Sequence, residues 1–354
     1  MAKTNTTARK RVRGATRILV LMHEDLVPPD SVEGLTDQEI SPFKNEFDVT
    51  SALREMGHDA QPLGVASDLG VLRDTLNSFK PRITFNLLEE FHGVAVYDQH
   101  VVSYLELMKR RYTGCNPRGL MLAHDKALSK QVMHYHRIPV PEFAVFPMGR
   151  KFRVRRNLPF PMLVKSLTAE GSVGIAQASV VKDEDQLRER TEFVHRQLAT
   201  DAIAERYIEG RELYVGVLGN QRLQTLPIWE LRFDKMPDDS LKIATDKVKW
   251  DFEYQKKHGI TWGKASGISP EMRERIKRIC KRAYRALHLT GYARIDLRLT
   301  EEGRVYVLEA NPNPDLSYGG EFADSAEAQG ISYKQLLNRI IRHGLSYRAQ
   351  WSGS

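Results

Sequence analysis

Residues Arg294 to Asn311 read RIDLRLTEEGRVYVLEAN, two alternating runs on either side of Glu302-Gly303. Because Glu-Gly is a good two-residue turn, this pattern predicts a β-hairpin. Closing the hairpin there gives the pairs Arg294 with Asn311, Asp296 with Glu309, Leu297 with Leu308 and Leu299 with Tyr306. One face of the predicted hairpin is apolar, and the other carries an arginine, an aspartate, a glutamate and an asparagine.

Two carboxylates face each other on the polar side of this hairpin. Directly opposite residues have Cβ atoms ~4.5–5.5 Å apart, so Asp296 and Glu309 should repel unless a positive charge lies between them, and removing one should not destabilise the fold. Carboxylate and amide oxygens without Cys or His favour Mg²⁺ or Mn²⁺. The spacing fits two ions roughly 3.5–4 Å apart, with Asp296, Glu309 and Asn311 as ligands. The alternative is a solvated polar face.

The positive charge of the chain is concentrated at its start. The chain has 53 basic and 45 acidic residues, a net charge of +8, but six of the basic residues and no acid lie in residues 1–17. The remainder is nearly neutral, so we predict a basic disordered tail over residues 1–16 and consider nucleic acid an unlikely partner. Binding through the tail would fall steeply with salt.

Length, cysteine count and hydropathy limit the class of protein. A chain of 354 residues is long enough for two or three domains. Its two cysteines, Cys115 and Cys280, are far apart in sequence, which predicts buried thiols in a reducing compartment and favours a cytoplasmic location. No apolar run approaches the ~20 residues of a membrane span, so no membrane partner is expected.

Strand and helix patterns alternate along the chain. They predict a parallel α/β unit over residues 17–116, then units over 117–204 and 205–348. The predicted strands include 17–22, 83–88, 162–165, 175–180, 202–207, 212–218 and 224–229. The predicted helices include 43–56, 98–111, 117–136, 183–198, 270–287 and 333–344. Residues 234–267 lack periodicity and are expected to form a mobile loop. The sequence does not identify which lysine of residues 235–264, if any, contacts phosphate.

Three further segments carry polar groups suited to a nucleotide. A strand ending in Lys165 runs into a loop of small residues that contains Glu170 and Ser172. Backbone amides of such a loop can approach phosphates while the lysine adds a point charge, although the segment is not a Walker loop. In the second segment, Glu205 to Glu212, backbone groups could bind adenine and a carboxylate could bind ribose. The third places Lys126 at a helix start. Each alone also fits an ordinary exposed turn.

The order of these motifs resembles the ATP-grasp superfamily, in its D-alanine–D-alanine ligase-like branch, from about Phe85 to Leu345. The resemblance implies an ATP-grasp fold of mixed α/β and α+β class: the N-terminal parallel α/β subdomain is followed by two α+β subdomains that clamp a nucleotide. It implies that Lys126 and Lys165 contact ATP phosphates and that Arg294 is catalytic, steadying the transferred phosphoryl group. It further implies roles for the remaining motif residues. Adenine would be bound by Glu205, Tyr207 and Ile208, and ribose by Glu212. Two Mg²⁺ ions would be bound by Asp296, Glu309 and Asn311. Glu170 and Ser172 would complete the nucleotide site.

The sequence departs from the ligase pattern on the amino-acid side. The turn after the first strand lacks the family's Ser and Glu, and Tyr97-Asp98 replaces an acidic pair flanked by glycine. Asp315 stands where the family has Gly, which should disfavour a second D-alanine through like charge and could favour an amine-rich acceptor.

We therefore expect an ATP- and Mg²⁺-dependent ligase that joins a carboxylate to an amine through an acyl phosphate. The substrates would be small molecules such as amino acids, peptides or other carboxylates and amines. D-alanine–D-alanine ligase activity and a nucleotide-binding regulatory role are the alternatives, and a homodimer stays open.

Overall fold

The structure, a computed structural model, describes residues 15–154, 158–169, 171–237 and 240–349. The strands of this part of the chain are β1 (Arg17–Met22), β2 (Asp59–Gly64), β3 (Ile83–Asn86), β4 (Phe143–Phe146), β5 (Met162–Ser166), β6 (Val180–Val181), β7 (Ala202–Arg206), β8 (Arg211–Leu218), β9 (Gln224–Thr225), β10 (Trp229–Phe233), β11 (Ile260–Lys264), β12 (Tyr292–Leu299) and β13 (Val305–Pro312).

The α-helices follow the same order along the described chain. They are α1 (Asp37–Ile40), α2 (Lys44–Glu55), α3 (Leu69–Phe79), α4 (Asp98–Leu107), α5 (Pro117–His124), α6 (Lys126–Tyr135), α7 (Glu184–Leu198), α8 (Asp246–Trp250), α9 (Phe252–His258), α10 (Pro270–Ala286), α11 (Glu321–Glu327) and α12 (Tyr333–Ser346). No helix of the described residues is long and apolar enough to cross a membrane.

The first sheet is parallel, with strand order β2-β1-β3. Its central strand is buried on both faces. Leu19 and Leu21 pack into the same core as α3 and α4, whereas Ile18 and Val20 pack into the core that contains α2 and α12. Burial on both sides explains the continuous apolar run and confirms the predicted parallel α/β unit.

Two antiparallel sheets follow. The smaller sheet has the order β4-β7-β5-β6, and α7 packs against it. The larger sheet has the order β11-β10-β8-β12-β13, with β9 paired to β8. Helix α10 packs on one face of the larger sheet. This combination of one parallel and two antiparallel sheets confirms the predicted fold class. The predicted domain boundary between Ala204 and Glu205 falls inside β7. We propose a division after Arg206, which keeps the smaller sheet in one unit.

The hairpin prediction is correct near its base and wrong near its turn. Arg294 pairs with Asn311 and Asp296 with Glu309, but the register shifts after Asp296, so that Leu297 pairs with Val307 and Leu299 with Val305. The turn is also longer than predicted, because Thr300 pairs with Arg304 and Gly303 adopts a φ of 76°. Leu308 has no partner in the ladder and forms a β-bulge. The turn has three residues, Glu301 to Gly303, instead of the predicted two.

Three other elements differ from the prediction. Residues 175–180 form a 3-10 turn, Gln177–Ser179, rather than a strand, and only Val180 pairs. The predicted strand 224–229 is divided into β9 and β10 around Pro227, which cannot donate to a ladder. The predicted helix 117–136 is two helices, because Asp125 ends α5 and its carboxylate accepts hydrogen bonds from the first amides of α6.

The expected mobile loop at 234–267 is largely ordered where the structure describes it. It contains α8, α9 and β11. The side chains of Thr245 and Asp251 cap the two helices by accepting hydrogen bonds from the amides of Val248 and Tyr254. These caps are standard helix-start signals, and the lack of hydrophobic periodicity concealed them.

Candidate active site

The smaller and larger sheets approach each other around a cluster of buried lysines and glutamates. Lys165, at the end of β5, and Lys130, on α6, both approach the same carboxylate oxygen of Glu205, at 3.2 and 3.1 Å. Lys126 lies 3.2 Å from a carboxylate oxygen of Glu309, whose other oxygen is 4.0 Å from Lys165. Residues predicted from four separate motifs thus share one charge network.

Burial and charge compete within this network. Burial alone would raise the pKa of Glu309, but Lys126, Lys165 and other lysines lower it to about 2. Burial would likewise raise the pKa of Glu205, and Lys130 and Lys165 bring it below its usual range. Both carboxylates are therefore ionised at neutral pH and partly neutralise the lysines. A phosphate group that enters the cluster would compete with them for the same cations.

Lys130 is a site residue that the sequence reasoning did not select. It lies one helical turn after Lys126, has no solvent exposure, and donates a hydrogen bond to the carbonyl of Leu308, the bulged residue of β13. Burial lowers its pKa, as does the neighbouring Lys165. The spacing of four residues between the two lysines was the available signal, because such residues share a helix face.

Arg294 and Asp296 lie two residues apart on the same face of β12. The Nε and Nη2 atoms of Arg294 donate to the two carboxylate oxygens of Asp296 at 2.8 and 3.0 Å. Its Nη1 atom donates to Glu321 at 3.2 Å, and its guanidinium lies 5.0 Å from the ring centroid of Tyr214. Glu321, at the start of α11, is a second residue that the sequence reasoning did not select.

The three predicted metal ligands share this face. The Nδ2 atom of Asn311 donates to Asp296 at 2.9 Å, and Glu309 pairs with Asp296 across the ladder. Their oxygen donors suit Mg²⁺ chemically, although no group of three His, Cys, Asp or Glu side chains within the described ranges forms a metal cluster. Burial raises the pKa of Asp296 despite the nearby Arg294 and Lys249. The charge of Arg294 therefore offsets only part of the effect of burial on this carboxylate.

A cavity of about 80 Å³ lies between the two sheets. Its lining includes eight of the predicted residues: Lys165, Ser172, Glu205, Tyr207, Ile208, Glu212, Asp296 and Glu309. Lys249 of the predicted loop also lines this cavity. It is therefore the candidate phosphate-binding lysine that the sequence did not identify. Glu170, the remaining predicted loop residue, lies outside the described residues.

The proposed ribose ligand already has protein partners. Glu212 accepts hydrogen bonds from Arg298 at 2.7 Å and from the Tyr214 hydroxyl at 2.8 Å. The amide of Tyr207 donates to the carbonyl of Pro161. A wider cleft of about 920 Å³ lies beside the smaller cavity and shares Tyr207 and Glu212 with it. These two residues therefore line both spaces.

The segment that contains Gly171 and Gln177 contacts residues 240–250 beside this cavity. The indole nitrogen of Trp250 donates to the carbonyl of Gly171 at 2.9 Å. The side chain of Gln177 donates to the carbonyl of Leu241 and accepts from its amide, at 2.9 and 3.0 Å. We call these three hydrogen bonds the loop bridge. Gly171 has a φ of 65°, a left-handed conformation that favours glycine.

This chain is similar in sequence to known proteins. The family model for the D-ala D-ala ligase C-terminus matches residues 132–342. An uncharacterized protein, y4sG, of Sinorhizobium fredii is 32% identical over 301 residues, covering 83% of this chain and 85% of the relative. A D-alanine–D-alanine ligase of Desulforudis audaxviator is 29% identical over 298 residues, covering 83% and 90%.

The fold is similar to that of a solved ligase. The structure of D-alanine–D-alanine ligase from Bacillus anthracis, complexed with ATP, superposes with a TM-score of 0.72 at 22% identity and covers 94% of this chain and 98% of its own. At this identity the similarity concerns the fold.

Proposed function

The chain belongs to the D-alanine–D-alanine ligase family of ATP-dependent ligases that form amide bonds, and we propose that it joins a carboxylate to an amine other than a pair of D-alanine molecules. Two acidic residues, Asp315 and Glu321, carry this proposal. Asp315 lies where the family pattern has Gly, and Glu321 is in contact with Arg294. Both side chains are acidic, and the carboxylate of a D-alanine acceptor placed beside them would be repelled.

The nucleotide side supports phosphoryl transfer. We propose that Lys126 and Lys165 bind ATP phosphates, with Lys249 and Ser172 beside them, and that Glu205, Tyr207, Ile208 and Glu212 form the adenine and ribose site. Phosphoryl transfer needs mainly positioning and charge neutralisation. Three buried lysines surround two ionised glutamates. Phosphate oxygens could replace these carboxylates as partners of the lysines.

We propose that Asp296, Glu309 and Asn311 hold the two Mg²⁺ ions, with Mn²⁺ as a substitute. When bound, the ions would neutralise charge on the phosphates. Arg294 would then exchange part of its contact with Asp296 for the transferred phosphoryl group. Its planar fork matches two oxygens at once.

The reaction proceeds in two steps in this proposal. The substrate carboxylate takes the γ-phosphoryl group of ATP, which gives ADP and an acyl phosphate. The amine nitrogen then forms the C–N bond while the C–O bond to phosphate breaks, so that phosphate leaves and the nitrogen loses a proton. The side chains of this chain bind and orient the reactants, and the mechanism requires no protein nucleophile.

Other residues on the acceptor side support a changed pocket. Asp98, which replaces the family's acidic pair, is buried and lies 3.0 Å from His124, so it has a role within the fold. His23, in the turn after β1, lies 3.3 Å from Glu90. The ligase pattern instead has a Ser and a Glu in the turn after its first strand.

ADP release over a panel of amines and carboxylates, followed by mass analysis of the products, tests this proposal. We expect little ADP with ATP, Mg²⁺ and D-alanine alone, and amide product with at least one other pair. Robust D-alanyl-D-alanine formation at millimolar D-alanine would contradict it. D-alanine–D-alanine ligase activity is the second candidate, because the Desulforudis audaxviator relative carries that name.

A further inference from the structure

One buried ammonium group contacts both walls of the cavity between the two antiparallel sheets. The Nζ atom of Lys130 lies 3.1 Å from a carboxylate oxygen of Glu205, on β7, and donates a hydrogen bond to the carbonyl of Leu308, on β13. Both of these contacted residues line the cavity. Lys130 itself has no solvent exposure, so it can act on a bound nucleotide only through its neighbours.

The smaller sheet places Glu205 beside Lys165. Ala204 and Val164 pack in the core that contains α7, so strand alternation directs the next residue of each strand to the opposite face. These next residues, Glu205 and Lys165, are diagonal neighbours on the adjacent strands β7 and β5. The sheet alone therefore accounts for this ion pair, whereas Lys130 reaches the same carboxylate from α6.

The carboxylate of Glu205 keeps an acceptor for a ligand. It is 2% exposed, and both lysines approach the same oxygen, Oε1. Within the described residues no donor meets this oxygen with hydrogen-bond geometry, so the two contacts are mainly electrostatic. A buried acceptor without a hydrogen bond is costly, and a donor on the ligand would satisfy it. The amino group of adenine is such a donor, whereas hypoxanthine has a carbonyl oxygen at the same position.

Lys130 also affects the charge of this carboxylate. Burial raises the pKa of Glu205, and among the opposing charges Lys130 lowers it most, followed by Lys165. With Lys130 removed, Lys165 would be the one remaining cation of the described residues at Oε1, and Glu205 would compete with phosphate for it. A carboxyl group that is less firmly ionised also discriminates less between a donor and an acceptor on the base.

We propose that Lys130 is a positioning residue for base specificity: it holds the Glu205 carboxylate in place to accept a hydrogen bond from the amino group of adenine, and it fixes that carboxylate to the bulge of β13. The inference rests on the proposed nucleotide site and adds to it a residue that does not touch the nucleotide. A site built to hydrogen-bond one group of a substrate rejects an analogue that lacks this group. Loss of Lys130 should therefore reduce selectivity for the base as well as affinity.

Calorimetric binding of ATP and ITP to the whole chain tests this inference, with Mg²⁺ present and without a carboxylate or amine substrate. We expect the wild-type chain to bind ATP at least about ten-fold more tightly than ITP. Lys130→Met replaces the ammonium group with an apolar group on an unbranched side chain and should reduce this preference several-fold. Gln131→Met alters an exposed neighbour on α6 and should leave it unchanged. A purely structural role would weaken both nucleotides equally, so an unchanged preference in folded Lys130→Met would overturn the inference.

A double variant shows whether Lys130 acts through Glu205. Glu205→Gln should abolish the preference for ATP, because its amide can also donate to ITP, and adding Lys130→Met should then change the preference no further. A further loss in the double variant would overturn the inference. If circular dichroism shows Lys130→Met to be unfolded, Lys130→Gln, which keeps a donor but no charge, takes its place with the same expected result.

The wild-type chain separates this inference from the proposals on which it rests. Equal affinities for ATP and ITP would overturn the inference together with the assignment of Glu205 to adenine, and would leave the phosphate contacts in place. Failure to bind either nucleotide would contradict the proposed ligase function itself.

Discussion

Asp296 and Glu309 are directly opposite in the β12–β13 ladder, yet their carboxylates have different cationic partners. Asp296 is bound by Arg294, whereas Glu309 lies 3.2 Å from Lys126. Side chains of the protein therefore supply positive charge that the sequence pattern attributed entirely to metal ions. The two acids connect the proposed metal site with the lysine cluster.

Replacing Glu309 with Gln should reduce Mg²⁺-dependent ADP release by orders of magnitude. The change keeps the shape of the side chain but removes the charge proposed to bind a cation. Steady-state ADP release over a range of Mg²⁺ concentrations measures the effect. The matched control is Glu301→Gln, an exposed acid in the turn of the same hairpin. Wild-type turnover in Glu309→Gln would rule out the metal role.

The same variant should also be less stable, contrary to the expectation from like-charge repulsion. The pKa of Glu309 is lowered to about 2 in the folded protein, below its ordinary value of 4.5. A lowered pKa contributes stability above pH ~4.5 that is lost as the pH falls towards 2, here on the order of 2 kcal/mol. Urea unfolding at pH 7 and pH 3 should show a larger difference between wild type and variant at pH 7. A variant as stable as wild type at pH 7 would contradict this.

Lys165→Ala should weaken ATP binding while the chain stays folded. A charge-assisted phosphate contact contributes roughly 1.5–3 kcal/mol, about one to two decades in Kd. Lys126→Ala should behave similarly. Calorimetry measures the affinity, with Lys182→Ala, an exposed lysine of the same unit, as control. Circular dichroism confirms that each variant is folded, and wild-type ATP affinity in the folded double variant would exclude the phosphate role.

Arg294→Lys should separate binding from turnover. The lysine keeps the positive charge but cannot form the two parallel hydrogen bonds that Arg294 makes with Asp296. We expect ATP affinity to change only a few-fold and ADP release to fall by roughly two decades. Arg304→Lys alters an exposed arginine on the same hairpin and provides the control. Equal losses in affinity and in turnover would argue against a role in phosphoryl transfer.

Glu46→Gln should stabilise the protein at high pH. The folded pKa of Glu46 is raised to about 7 from 4.5, mainly by burial. A raised carboxyl pKa costs stability progressively as the pH rises above ~4.5, so the variant should gain roughly 1–3 kcal/mol at pH 8 and almost nothing at pH 4. Urea unfolding at both values measures this, with the exposed Glu55→Gln on the same helix as control. An equal effect at both pH values would exclude titration of Glu46 as the cause.

Local patterns predicted the elements whose burial is strongly periodic. The apolar run from Arg17 to Met22 is the central strand of a sheet buried on both faces, and α10 matches its predicted range within one residue. The residues of the hairpin face were found because strand alternation alone places Arg294, Asp296 and their partners together.

Contacts distant in sequence account for most of the errors. The side chain of Gln177 bonds to the backbone of Leu241, which favours a turn where the local pattern suggests a strand. Leu308 forms a bulge whose carbonyl accepts from Lys130, and no feature of the hairpin sequence announces that lysine. Glu321 reaches Arg294 only because α11 returns to the sheet.

The loop bridge lies beside a cavity that is small for its proposed ligand. The cavity beside it measures about 80 Å³, whereas sites for small molecules usually require ~300 Å³ or more. If a nucleotide occupies this cavity as proposed, the cavity must enlarge, and the Trp250–Gly171 hydrogen bond is a contact that parting of the loops would break. In many enzymes an opening step of this kind, rather than the chemical step, limits turnover. Because the indole of Trp250 donates that hydrogen bond, a change in the fluorescence of this residue, one of four tryptophans in the chain, would report parting of the loops.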